Sequence, residues 1–275
     1  MPEAPDLEVI KEFLAPRIVG CTVTAAVERK PLVLRNMTGE PFEADLPGRK
    51  ITSVERRSKL LLIGLGRGRL LIISPMLTGG LRHCQPSTRM DASTCLAFDL
   101  SDGCQLRYFD QKRMGQVYLL PPGRSDEIVR LEHQGPDVLS EPLGLDEFTA
   151  ALKPFRGEIK GILTRGVLVS GIGNAYADEV LFHARLFPFK KRTALSADDV
   201  RRLHEAVYSV PAEAVKTLRE RMGADIHRKV RGFLKVHGKG GGPCPVCSSK
   251  ITAITANQRL TNYCRQCQPG SLFRR

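Results

Sequence analysis

The chain has 275 residues and a mass of 30.4 kDa, with 42 Lys and Arg against 29 Asp and Glu, a formal net charge of +13. At 42% hydrophobic and 26% charged residues it has the composition of an ordinary globular protein, neither disordered nor fibrous, and its length allows one large or two modest domains. No apolar run reaches the roughly 18–20 residues of a membrane span, and the opening MPEAPDLEVIKEFL carries acids where a secretory signal carries positive charge, so an intracellular protein is expected.

Pro5, Asp6 and Glu8 are helix-start signals, and Leu7, Ile10, Phe13 and Leu14 give an apolar face that predicts a first helix ending at Pro16. Seven β patterns follow: Val19–Glu28, Lys50–Arg56, Lys59–Gly64, Arg69–Ser74, Thr94–Leu100, Gln105–Phe109 and Gln116–Leu120. Turns such as Gly66-Arg67-Gly68 and Ser101-Asp102-Gly103 separate them, which points to a β-sandwich or barrel. Pro121–Ser125 reads as a linker. Helical patterns then run over Asp146–Leu152, Phe155–Thr164, Asn174–Ala184 and Ala197–Arg221. The expected parts are residues 1–122 as a β-rich domain, 123–144 as linker, 145–235 as a helical domain and 236–275 as a cysteine-bearing end.

The last part is distinctive in charge. Asp225 is the last acidic residue, and the fifty residues from Ile226 to Arg275 contain ten Lys and Arg. Solubility alone favours mixed signs, so an acid-free stretch of this length is expected to meet a polyanion. Within it, Cys244-Pro245-Val246-Cys247 and Cys264-Arg265-Gln266-Cys267 form two CxxC pairs sixteen residues apart. Each pair can grip one ion with two thiolates, and the intervening segment is long enough for a β-hairpin that returns the second pair. Four sulfurs around one structural Zn²⁺ is the natural reading, ahead of an iron–sulfur centre or two disulfides. Arg259 falls at or near the hairpin tip, where a guanidinium can meet phosphate. Cys21, Cys84, Cys95 and Cys104 lack ligand spacing and are read as space-filling, and the six histidines show no metal-type pairing.

Two more features carry chemistry. Ser170-Gly171-Ile172-Gly173-Asn174 breaks between helical patterns, so Asn174 is expected to cap the next helix, whose first amides attract phosphate. At the amino terminus, Met1-Pro2-Glu3 invites removal of Met1. That leaves a secondary amine with an α-amino pKa of roughly 7.7–8.0, beside a carboxylate suited to proton transfer.

These features occur together in the formamidopyrimidine-DNA glycosylase/endonuclease VIII family, which the chain resembles throughout its length. The resemblance is carried by Pro2-Glu3-x-Pro5-x-x-Glu8, Arg56-Arg57-Ser58-Lys59, Gly171-Ile172-Gly173-Asn174-x-Tyr176-Ala177-Asp178-Glu179, Val236-His237-Gly238, and Gln258-Arg259-x-Thr261-x-Tyr263 running into the second cysteine pair. It implies an α+β, multi-domain fold: an N-terminal β-sandwich with flanking helices, then a helix–two-turn–helix domain with a C-terminal zinc finger. It implies a bifunctional enzyme that flips a damaged base out of double-stranded DNA, excises it and nicks the strand by β,δ-elimination. By the same resemblance Pro2 is the Schiff-base nucleophile at C1′ and Glu3 the proton donor to the ribose. Lys59 contacts phosphate and assists β-elimination, Arg259 binds phosphate and assists δ-elimination, and Asn174 and Arg156 contact DNA. A monomer on the nucleoid of a bacterial cytoplasm is expected.

The departures cluster. The family's usual His-Leu-Gly-Met-Ser-Gly run is Ser74-Pro75-Met76-Leu77-Thr78-Gly79 here, and its Asp-Pro-Arg-Arg/Lys-Phe-Gly run is Asp110-Gln111-Lys112-Arg113-Met114-Gly115. The residues that fill the gap left by a flipped nucleotide thus become Leu77, Lys112 and Met114. Leu and Met can still wedge between bases, whereas Lys112 lacks the planar fork with which Arg pairs an orphaned base. The segment from Gly223 to Val236 is also short for a capping loop over an oxidised purine. Retained excision chemistry with altered lesion choice is expected. Two rival readings are a non-catalytic binder of damaged DNA, which the altered wedge favours, and a zinc-ribbon module for RNA, which leaves Pro2-Glu3 and Lys59 unexplained.

Overall fold

In the computed structural model, residues 1–124, 134–140, 142–256 and 259–271 are described. Ten of the 22 residues of the expected linker (125–133 and 141), and Asn257 and Gln258, lie outside them. The chain divides into two compact units, Met1–Glu132 with Leu218–Val230, and His133–Thr217 with Arg231–Arg275.

The first unit begins with helix α1 (Ala4–Ile18), which Glu3 precedes in extended conformation. Asp6 reaches back to accept the Glu3 backbone N–H at 2.8 Å, satisfying one donor that a helix start leaves open. The helix does not end at Pro16. A proline so near the C-terminus removes only one ladder bond, and the Val19 N–H still donates to the Ala15 carbonyl at 3.1 Å.

Two antiparallel layers follow. One is a five-stranded sheet in the order β2 (Leu34–Asn36), β9 (Gln116–Leu120), β5 (Arg69–Ser74), β4 (Leu60–Leu65), β3 (Ile51–Arg57), with only the β2–β9 pair parallel. The other is four-stranded, in the order β1 (Val23–Glu28), β7 (Thr94–Leu100), β8 (Gln105–Asp110), β6 (Gly79–Cys84). Alternation buries Leu61, Ile63, Leu71 and Ile73 from the first sheet and Leu96, Phe98, Leu106 and Tyr108 from the second. Short helix α2 (Phe42–Asp45) adds Phe42, edge-on to Phe98 at 5.6 Å between centroids. Helix α1 packs on β3 and β4.

Strands β2 and β6 were not expected from the sequence. The first has three residues, too few for an alternation to show. The second opens on Gly79-Gly80, a poor strand signal that has a steric cause. A Cβ on Gly79 would stand 2.3 Å from the Tyr108 hydroxyl, and one on Gly80 would stand 2.5 Å from the Phe109 ring.

The second unit contains α3 (Leu145–Leu152), α4 (Ile159–Arg165), α5 (Asn174–His183), most of α6 (Ala197–Met222) and the hairpin β10 (Ile251–Ala256)–β11 (Arg259–Cys264). Helix α4 starts four residues later than the periodicity from Phe155 predicts. Glu158 is held extended by a bridge to Lys191, and the Ile159 N–H donates to the Lys190 carbonyl at 3.0 Å, so 155–158 stay out of the helix. Phe148, Ile162, Leu163, Tyr176, Val180, Leu181, Leu203 and Val207 form its core.

Candidate active site and nucleic-acid interface

In the first unit, Pro2 and Glu3 are buried at the start of α1, Glu3 with 2% exposure. Lys59 sits in the two-residue turn between β3 and β4, where Arg57 pairs with Leu60. The preceding Ser58 is buried in the left-handed region at φ 56°, a conformation that costs an L-residue roughly 1–2 kcal/mol. A fixed anchor holds that turn. Arg56 donates from Nε to Glu8 of α1 at 2.6 Å and from Nη1 to the Ser58 carbonyl at 3.0 Å. Burial alone would raise the Glu8 carboxyl, but hydrogen bonds from Lys11 and Arg56 outweigh it and the pKa falls below its ordinary 4.5. Glu8 and Arg56 belong to the motifs around Pro2 and Lys59, and together they tie the hairpin of Lys59 to the helix that starts at Glu3.

The three altered wedge positions lie on two loops, Leu77 between β5 and β6, Lys112 and Met114 between β8 and β9, and all three are exposed. One carboxylate holds both loops. Asp110, 1% exposed, accepts the Thr78 hydroxyl from the first loop and the backbone N–H groups of Lys112 (3.2 Å) and Gly115 (2.6 Å) from the second. The Lys112 N–H also donates to Thr78 Oγ1 at 3.0 Å, closing the bracket. Sequence reasoning did not single out Asp110; its signal was its place at the head of the Asp110–Gly115 run. Lys229, from the short segment 223–236, donates to the Leu77 carbonyl at 2.5 Å.

In the second unit, Asn174 does not cap α5. Gly173 takes the cap position at φ −120°, ψ −154°, and Asn174 is the first helical residue. Its Nδ2 donates instead to the Leu260 carbonyl of β11 at 2.8 Å. Arg259, the first residue of β11, donates from Nη1 to Thr164 Oγ1 of α4 at 3.1 Å, so Asn174 and Arg259 flank the same helix–hairpin junction. Arg156 is exposed in the loop before α4 and makes no hydrogen bond or ion pair among the described residues.

The junction is built on Lys160, which no motif marks, and on Asp178, Glu179, His237 and Thr261, which the motifs contain without assigning them this role. Lys160 of α4, 6% exposed, donates to the Leu260 carbonyl (3.0 Å) and Thr261 Oγ1 (2.8 Å) and pairs with Asp178 Oδ1 at 2.6 Å. The other Asp178 oxygen meets His237 Nδ1 at 2.8 Å and accepts the Asn262 N–H at 3.0 Å. Its neighbour Glu179 accepts three consecutive backbone N–H groups, from Lys235, Val236 and His237, at 2.8–2.9 Å. Gln268 bridges the Cys264 N–H and the Leu186 carbonyl.

The four finger sulfurs fit a tetrahedral ion. Cys244 and Cys267 approach to 3.8 Å, Cys247 and Cys264 to 3.4 Å, and all four lie within 4.8 Å of one another. Zn–S bonds of roughly 2.3 Å in a tetrahedron separate sulfurs by about 3.8 Å. Hydrogen bonds from Ser249 hold the Cys247 thiol down to about 6, favouring the thiolate that an ion requires. These four residues hold one structural zinc.

Comparison with known proteins agrees along the whole length. The N-terminal domain of formamidopyrimidine-DNA glycosylase matches residues 1–117, its helix–two-turn–helix domain residues 134–224, and the zinc finger found in these enzymes and in isoleucyl-tRNA synthetase residues 241–270. The chain belongs to the formamidopyrimidine-DNA glycosylase family. A formamidopyrimidine-DNA glycosylase of Symbiobacterium thermophilum is 34% identical over 278 residues, covering 98% of this chain and 90% of that one. A Thermus thermophilus relative of the same name is also 34% identical, with 98% of each chain covered. The Lactococcus lactis enzyme in complex with DNA containing an abasic site superposes with a TM-score of 0.87 at 27% identity, over 98% of this chain and 100% of that one. As a family member the chain is a DNA glycosylase of base excision repair with DNA as its partner, and abasic-site lyase activity is typical of the family. No helix among the described residues is long and apolar enough to cross a membrane.

Proposed function

We propose that the protein, as a monomer with Met1 removed, excises damaged bases through Pro2 and then cuts the strand on both sides of the abasic sugar. Its parts are residues 1–122 for catalysis, 145–235 and the finger 236–275 for DNA, joined by 123–144, and its place is the bacterial nucleoid. The observation that carries this reading is the coupling of Glu3 and Lys59 to one anchor, Glu8–Arg56, within one unit.

The chemistry follows from the residue types. The Pro2 secondary amine, with a neutral fraction at physiological pH, attacks C1′ as the base leaves. Glu3 gives a proton to the ribose ring oxygen, the C1′–O bond opens, and the product is an iminium ion. That cation withdraws electrons from C1′ and acidifies C2′, so loss of a C2′ proton expels the 3′ phosphate; Lys59 supports this step by meeting phosphate. A second elimination expels the 5′ phosphate, with Arg259 and Asn174 gripping the backbone. Zinc takes no part in bond making: once bound, it fixes the hairpin that presents Arg259. Leu77 and Met114 fill the vacated stack, while Lys112 offers the orphaned base a point charge in place of a fork.

The test is end-group analysis on duplexes carrying an abasic site, an oxidised purine or an oxidised pyrimidine. The expected products on abasic DNA have phosphate at both ends of the gap, and Arg259→Ala shifts them toward the β-elimination aldehyde. Intact abasic DNA after exposure to the mature protein contradicts the proposal.

A further inference from the structure

The first unit also holds a second group of metal-type donors, on residues that the glycosylase chemistry does not use. Strand β6 ends at His83-Cys84, opposite Leu106 and Gln105 at the start of β8. The β7–β8 turn therefore lies beside the end of β6. That turn is firmly set. Gly103 N–H donates to the Leu100 carbonyl at 3.0 Å, Leu100 N–H to the Cys104 carbonyl at 2.9 Å, and Cys104 N–H to Asp102 Oδ1 at 2.9 Å. Ser101 exchanges two hydrogen bonds with Thr22, its N–H donating at 2.9 Å and its Oγ accepting at 3.0 Å, so the segment carrying Cys21 is stitched to the same turn.

The result is a convergence of three donor types. One ligand atom each from His83, Asp102 and Cys104 lie within 4.8 Å of one another. The Cys21 thiol stands outside this trio and donates to the Arg17 carbonyl at 3.5 Å, while Gln85 Nε2 donates to Cys104 Sγ at 3.6 Å. His83 Nε2 is sealed from solvent and has no hydrogen-bond partner among the described residues. Packing alone gives His83 an edge contact with Phe13 at 6.5 Å, but a space-filling role does not account for the unsatisfied nitrogen. In sequence these positions fall at 83, 102 and 104, which is why linear spacing shows no ligand motif.

We propose that His83, Asp102 and Cys104 form a second Zn²⁺ site, with water completing the coordination shell. Nitrogen, oxygen and sulfur together suit a borderline-soft ion with no geometric preference of its own, whereas Ca²⁺ and Mg²⁺ want oxygen alone. Binding exchanges the Cys104 thiol proton, released to buffer, for a metal–sulfur bond, and nothing is oxidised or reduced. The bound ion clips the end of β6 to the β7–β8 turn.

The test is zinc stoichiometry on the full-length protein with its finger already loaded, titrated with Zn²⁺ under reducing conditions. The expected result is a second equivalent whose affinity falls by roughly tenfold or more in Cys104→Ser and in His83→Gln. Both variants keep the first equivalent and the wild-type rate of abasic-strand cleavage. A stoichiometry that stays at one, or a second equivalent that both variants hold unchanged, overturns the proposal. Co²⁺ added to the zinc-loaded wild type gives a check free of substitutions. A new thiolate charge-transfer band supports the site, and its absence at saturating Co²⁺ overturns it.

Discussion

In the proposed function, the wedge loops of the first unit and the helix–hairpin junction of the second meet the same DNA with opposite architectures. The junction surrounds Asn174 and Arg259 with buried charge: Lys160, Asp178 and Glu179 are each 6% exposed or less and fully engaged with backbone and side-chain partners. The wedge presents Leu77, Lys112 and Met114 to solvent from two loops held by one carboxylate. Backbone strain gathers at the loops that carry the residues proposed to act in the first unit. Ser58 precedes Lys59, Met76 precedes Leu77, Arg113 separates Lys112 from Met114, and all three have φ between 50° and 56°. Phosphates recur at fixed spacing whatever the lesion, so their contacts reward a rigid frame. A wedge must enter the base stack, and its side chains change identity without disturbing the frame that holds them.

Breaking the frame of the junction has the largest expected effect. Asp178→Asn leaves the Lys160 ammonium buried without its counter-charge, at a cost of about 3–5 kcal/mol. Calorimetry is expected to show a lower melting transition for the second unit and binding assays a weaker hold on undamaged duplex, with the first unit's transition unchanged. Asp110→Ala orphans the buried Gly115 amide, leaves the Lys112 N–H with Thr78 Oγ1 alone, and costs about 2–3 kcal/mol. Its signature differs: affinity for abasic duplex stays close to wild type while base excision slows, measured by single-turnover kinetics. Equal losses of affinity in the two variants would remove the distinction between frame and wedge.

The smallest effect concerns Glu8. Its folded pKa lies below 4.5, so its contribution is fully present above the unfolded value and is lost as pH falls through the folded one. Urea melts are expected to show Glu8→Gln less stable than wild type by about 1–2 kcal/mol at neutral pH, with the gap closing below pH 4.5. A gap independent of pH would show that the ion pair with Arg56 is not its source.

What the sequence made legible was chemistry carried on short stretches. The two CxxC pairs declare themselves within a few residues, and strands such as Arg69–Ser74 and Thr94–Leu100 appear where their alternation predicts them. What stayed hidden joins distant positions. Thr78 meets Asp110 across 32 residues, and Lys160 meets Thr261 across 101, neither being visible to periodicity. Asn174 was placed on the right turn but given a capping role, because an Asn before a helix is a good cap unless, as here, a carbonyl on another element draws its amide away. Strand β6 was missed because Tyr108 and Phe109 demand glycine where a strand pattern wants side chains.

The central claim is that the amino terminus is the nucleophile, and borohydride trapping tests it most directly. Mature protein is incubated with an abasic duplex, reduced, digested and mapped by mass spectrometry. The predicted result is a covalent protein–DNA adduct on the Pro2 nitrogen, lost in Pro2→Gly. An adduct mapped to Lys59 or any other side chain, or no adduct from protein whose intact mass confirms removal of Met1, would contradict it.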